Sequence, residues 1–216
     1  MVVGDIVNSS SSATFASQTN NKGIDAFNFY IQFANAASPN YTWNDGMGNA
    51  ITSFVNGKTA IMFGYQADLA AIEAKAPFLN IGIAPMLQAK GATIAVNYPD
   101  YMGLVAAKAG KSVVTAQNLV LYLTMAQGNG RIYQGATGKP PALRTDIQAY
   151  ASNKELSIFA PQILTARSWY EVDAASINAI FDTAVKNVLR GAEEAPRALN
   201  EAEAAVTQLM YRTQQP

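Results

Sequence analysis

Short apolar runs bounded by glycine, proline or polar turns lie between longer stretches of helical spacing, and this alternation restricts the chain to a mixed helix-and-strand fold. Thr59-Ala60-Ile61-Met62-Phe63 sits between Gly57 and Gly64 and reads as a buried strand. Asn80-Ile81-Gly82-Ile83-Ala84-Pro85 reads the same way. Thr93 to Val96 and Gly103 to Ala107 are two more strand-like pieces, separated by Asn97-Tyr98-Pro99-Asp100-Tyr101.

Helical spacing dominates elsewhere. Ile24, Phe27, Tyr30, Ile31 and Ala34 predict a helix over Lys22–Ala37, with Asn20 or Asn21 as its cap. A second helix starts near Asp45-Gly46 and stops at Asn56-Gly57, where glycine suits the left-handed residue that follows a helix. Asp68 to Lys75 reads as a short helix ended by Pro77, and Ser112 to Met125 as a longer one. Arg131-Ile132-Tyr133 lies between glycines, and Pro140-Pro141-Ala142-Leu143 reads as extended. Short helices are expected near Ile147–Ser152 and Glu155–Leu164. Ile177, Ile180, Phe181, Ala184, Val185 and Val188 mark one side of a long helix within Trp169–Leu189. Gly191 ends it, and Pro196 opens a last helix. Residues 1–22, polar and Ser/Asn-rich, read as an irregular lead-in.

Composition removes whole classes of chemistry. The 216 residues include no Cys and no His. Zinc sites of imidazole and thiolate are therefore excluded, as are Ser-His-Asp and Cys-His nucleophile systems. Half the residues are hydrophobic and 14% are charged, enough apolar material for a packed core. Formal net charge is zero, with no basic stripe of the kind nucleic acid requires. No apolar run approaches the roughly 20 residues of a membrane span. Gly128-Asn129-Gly130 is no phosphate loop, since no Lys-Ser/Thr follows it. Asp45-Gly46-Met47-Gly48-Asn49 lacks the spaced acidic ligands of a calcium loop. No cofactor or metal is expected.

Six phrases carry a resemblance by their order. They are ATFASQTNNKGIDAFNFYIQFA, AITSFVNGKTAIMFGYQADLAAI, NIGIAPML, YPDYMGLVAAKAGKSVVTAQNLVLYLTM, GATGKPPALRTDI, and SWYEVDAASINAIFDTAVKNVLRGAEEAPRALNEAEAAVTQL. Together they resemble the C-terminal portion of family 1 extracellular solute-binding proteins of ABC transporters, the maltose-binding-protein-like group. The resemblance implies an α/β fold: a helix-rich second lobe of a periplasmic-binding-protein-like architecture with short buried strands, the first lobe largely missing. It divides the chain into a second-lobe segment (1–91), a hinge crossover and return (92–145) that would normally pack on the first lobe, and closing second-lobe helices (146–216). The opening MVVGDIVNSSSSATF lacks the basic start and continuous apolar stretch of an export signal. The resemblance nevertheless implies an extracytoplasmic parent protein, periplasmic or lipid-anchored.

The function so implied is capture of a small solute, a sugar or oligosaccharide, in an interlobe cleft for delivery to membrane permease subunits. Such a cleft uses aromatic faces and a few orienting polar groups. Trp169 and Tyr170 are the first candidates, since an aromatic at the start of this helix often faces the cleft in the family. Tyr65 follows the Thr59–Phe63 run, at the strand end where ligands bind in open α/β sheets, and Gly64 permits close approach. Asn97, Tyr98, Asp100 and Tyr101 form a polar-aromatic loop that reads otherwise as a solvated turn. Arg167 and Asp173 flank the aromatic pair and could bond a hydroxyl or form an ion pair. Trp43, beside Asn44 and Asp45, is a further contact candidate set against a packing role.

Two other readings stand beside this one. The chain could be a folded lobe without independent binding, completed by a complementing first lobe or by self-association. A carboxylate-based glycosidase would need two cleft carboxylates roughly 5–9.5 Å apart, for which Asp100 and Asp173 are the plausible pair. No motif supports an enzyme.

Overall fold

The computed structural model describes residues 7–8, 12–17, 20–126, 128–150 and 157–214. The chain is helix-rich, with 49% of the described residues helical. It divides into two compact units, one of residues 1–47 with 168–216, the other of residues 48–167.

In the first unit, Val7–Asn8 (β1) pairs antiparallel with Ser12–Ala13 (β2), Val7 opposite Ala13. Helix α1 (Lys22–Ile31) follows. Asn21 sits at its cap in a left-handed conformation (φ 54°), and its side chain makes no capping bond. The backbone begins the helix instead, Asp25 N–H donating to the Asn21 carbonyl at 2.9 Å. The expected continuation to Ala37 is absent, because the chain turns after Ile31 and Thr42 and Trp43 N–H both donate to the Phe33 carbonyl. A 3₁₀ turn covers Asp45–Met47.

The unit is completed by two long C-terminal helices, Ala174–Leu189 and Ala195–Gln214, which pack on each other. Their apolar positions recur every three or four residues, so each helix buries one stripe. Ile177 and Ala184 are buried on the first, and Ala198, Leu199, Ala202, Val206 and Met210 on the second. Phe27 and Ile31 of α1 join this core with Ala13, Phe15 and Ala16. The Phe15 and Phe181 rings meet at 5.1 Å between centroids. Side chains of the last helix also hold the N-terminal turn. Thr207 Oγ1 accepts from Ala13 N–H at 3.0 Å, and Glu203 Oε2 accepts from both Ala16 and Ser17 N–H.

The second unit contains helices α2 (Ala50–Val55), α3 (Asp68–Lys75), α4 (Val113–Met125), α5 (Asn129–Thr137), α6 (Arg144–Tyr150) and α7 (Phe159–Ile163). The C-terminal pair of the first unit is therefore α8 and α9. Asn49 caps α2, its Oδ1 accepting from Ile51 N–H at 3.0 Å and Thr52 N–H at 3.3 Å. Gly57 (φ 68°) follows the helix in the left-handed region expected of it. The glycine-bounded segment around Arg131 is the helix α5. Ile147, Tyr150 and Ala160 form a small core against which Ile163 packs, and the Tyr150 hydroxyl donates to Gln134 Oε1.

The expected short buried strands are the main correction. Thr59–Phe63, Asn80–Pro85, Thr93–Val96 and Gly103–Ala107 form no strand ladder. Among the described residues of this unit the β-type pairing is a single bridge, Asn97 to Ala166. A strand is stable only with lateral partners and cover on its faces. These runs have neither: Ile61 is 78% and Phe63 64% exposed. The pattern records a demand for burial that this unit's own residues do not meet.

Candidate functional site

A polar network in the second unit joins segments that are far apart in sequence. Gln162, on α7, uses both ends of its amide: Oε1 accepts from Met86 N–H at 3.0 Å and Nε2 donates to the Ile158 carbonyl at 2.9 Å. Gln88 bonds both backbone groups of Val96, accepting from its N–H at 2.8 Å and donating to its carbonyl at 3.2 Å. This presents Asn97 to the chain leaving α7. Asn97 N–H donates to the Thr165 carbonyl at 3.3 Å, and Arg167 N–H donates to the Asn97 carbonyl at 2.8 Å. Asn97 Nδ2 donates to Thr165 Oγ1 at 2.7 Å, and that hydroxyl donates on to the Gln162 carbonyl at 3.1 Å.

Two of the expected site residues, Asn97 and Arg167, are thus neighbours across a parallel bridge. Asn97 Oδ1 is buried and accepts no hydrogen bond. A buried carbonyl oxygen without a donor costs about 1–3 kcal/mol, a cost this bridge carries locally. Arg167 is exposed, and its Nη1 donates to the neighbouring Ala166 carbonyl at 2.9 Å, leaving most of its five donors at the surface. Tyr98 and Tyr101 follow Asn97 with much of each ring exposed, and Asp100 between them is exposed too. Exposed guanidinium and aromatic faces are groups a cleft uses for a molecule bearing hydroxyls on apolar faces. Gln88, Gln162 and Thr165 hold this arrangement, and the sequence pattern does not single them out. Their signal is weak, because an isolated glutamine or threonine beside an apolar run is ordinary surface composition.

The other expected residues lie elsewhere. Tyr65 is in the second unit, exposed, with its N–H donating to Asp68 Oδ2 at 2.7 Å at the start of α3. Trp169, in the first unit, is half-buried and packs against that unit's core with Val172. Tyr170 is exposed. The long helix expected from Trp169 begins at Ala174, because Asp173 caps it: its Oδ1 accepts from Ser176 N–H at 3.1 Å. The Ser176 hydrogen bonds hold the Asp173 carboxyl below the ordinary aspartate range. That carboxylate is thereby occupied as a cap. Trp43 is half-buried in the turn after α1, where Asn44 Nδ2 donates to the Tyr41 hydroxyl at 2.6 Å and Asn44 Oδ1 accepts from Gly46 N–H.

Among the described residues no three His, Cys, Asp or Glu side chains gather where they could hold a metal ion. No helix among them is long and apolar enough to cross a membrane. No protein-family model matches the chain, and no curated protein is significantly similar to it.

Proposed function

We propose that the chain is a solute-binding module of an ABC importer, built on the second lobe of a periplasmic-binding-protein-like fold, that recognises a sugar or oligosaccharide. The observation that carries this reading is the bridge between Asn97 and the 165–167 segment, which brings the exposed Arg167 to the loop that carries Tyr98 and Tyr101. A sugar hydroxyl is an acceptor from the exposed Arg167, while Tyr98 and Tyr101 offer faces to its C–H surface. Trp169, Tyr170 and Tyr65 remain candidate contacts of the same ligand class. In the parent protein the partners would be the permease subunits, and the location extracytoplasmic.

A specific observation also favours the reading of a lobe without independent binding: the exposed apolar segments of the second unit show a surface that requires covering. Thermal shift with a panel of mono- and oligosaccharides separates the two. Binding by this chain predicts a rise of several degrees with at least one sugar, lost in Asn97→Ala. No rise with any sugar rejects independent binding, and a rise unchanged in Asn97→Ala rejects this site.

A further inference from the structure

The formal charge of zero conceals an uneven distribution along the chain. Residues 1–47 with 168–216 hold five Lys and Arg against ten Asp and Glu, whereas residues 48–167 hold ten against five. The second unit is therefore basic, and carboxylates are sparsest in the part of its sequence that carries the 97–101 loop. Between Glu73 and Asp146 there are seven Lys and Arg, and Asp100 is the one acidic residue. A body with a surplus of one charge attracts ligands of the other sign and raises their concentration at its surface.

Arg167 is the cation that the bridge holds beside this loop. Its N–H donates to the Asn97 carbonyl at 2.8 Å, and its Nη1 donates to the Ala166 carbonyl at 2.9 Å. Both ion pairs among the described residues, Lys186–Asp182 and Arg197–Glu201, lie in the first unit. No described carboxylate, Asp100 included, thus pairs with the Arg167 guanidinium. No described residue accepts from its Nε or Nη2, the edge that can give a carboxylate two parallel hydrogen bonds. Exposed Lys90 adds a positive charge on the turn between Gln88 and Val96, the pair whose bonds present Asn97.

We propose that the ligand of this site is an acidic saccharide, a uronic-acid oligosaccharide whose carboxylate pairs with Arg167. The assignment rests on the solute-binding reading above and narrows its sugar class. A neutral sugar would leave the charge of the guanidinium unmatched. A uronate carries a planar anion and a C–H ring face on one small unit, and these fit the guanidinium edge and the exposed faces of Tyr98 and Tyr101.

Isothermal titration calorimetry of the full chain tests this with oligomers of galacturonate, glucuronate and mannuronate, each beside its methyl ester. Esterification removes the charge and keeps the sugar. The expected result is that at least one acid form binds about tenfold or more tighter than its ester, and that this margin shrinks as salt rises. Arg167→Gln keeps the backbone bond to Asn97 and brings acid and ester to equal affinity, with helical content by circular dichroism unchanged. Arg167→Lys keeps the charge without the two-bond edge and retains part of the margin. Lys58→Gln, at an exposed cation after α2, leaves the margin intact and so separates Arg167 from the overall charge of the unit. Esters or neutral sugars that bind as tightly as the acids overturn the proposal and leave the solute-binding reading standing. An acid preference that survives Arg167→Gln, or that Lys58→Gln removes equally, also overturns it. If no sugar binds, acid or neutral, the solute-binding reading fails and the proposal falls with it.

Discussion

Gly23 shows how one residue can be required by packing alone. A Cβ at this position would clash with the Phe15 carbonyl oxygen, a backbone atom with no freedom to swing aside. Gly23→Ala must therefore shift the N-terminal turn away from α1, and we expect a loss of about 2–4 kcal/mol in denaturant unfolding. Asp173 carries a pH dependence of definite sign. Its carboxyl is held low in the folded chain by bonds to Ser176, so the ionised form is favoured by folding. The stabilisation is present above the unfolded value of about 3.9 and disappears as pH falls through the lower folded value. Asp173→Ala should lower the melting temperature at pH 7, and the difference from the native chain should vanish in strong acid. A difference that persists there would mean the residue acts other than as a charged cap. Asn97 could be read from sequence only as part of a polar-aromatic loop. That it meets Arg167 depends on Gln88 and Gln162, whose bonds cross long stretches of chain.

At the scale of elements, helices were more legible than strands. Asp68–Lys75 has the bounds its sequence predicts, and α4 begins one residue after Ser112. A helix satisfies its backbone within its own segment, so local spacing and stop signals suffice to locate it. The four apolar runs between 59 and 107 resemble strands just as clearly, but a strand needs its neighbour. The ends of α8 and α9 show the intermediate case. Their apolar periodicity is local, whereas the start of α8 at Ala174 depends on whether Asp173 or a residue nearer Trp169 supplies the cap. Met210, completely buried on α9, tests how far that periodicity reports packing. Met210→Ala should cost about 2–5 kcal/mol in chemical unfolding. A cost below 1 kcal/mol would show that the α8–α9 contact tolerates a void there.

On the scale of the whole molecule, the two units differ in how well they enclose their apolar residues. The first has a core drawn from its hairpin, α1, α8 and α9. In the second, the core cluster around Ile147, Tyr150 and Ala160 is small, and much of the apolar surface is open. Backbone protection follows buried contact, so amides in α8 and α9 should exchange with solvent far more slowly than those of segments 59–63 and 103–107. Hydrogen exchange read by mass spectrometry measures this directly. Equal protection in both regions would contradict the partition.

By itself, the sequence determined the helix-rich character, the positions of most helices, and the exclusion of imidazole and thiolate chemistry. These depend on residue types and local spacing, which no distant contact can alter. Only the tertiary structure decided that the β-prone runs lack partners, that Asp173 serves α8 as a cap, and that Asn97 bridges to the 165–167 segment. Each of these depends on a group supplied from elsewhere in space, or on the absence of one within the unit. A pattern of side chains along the chain states what must be buried or bonded, and leaves open what will do it.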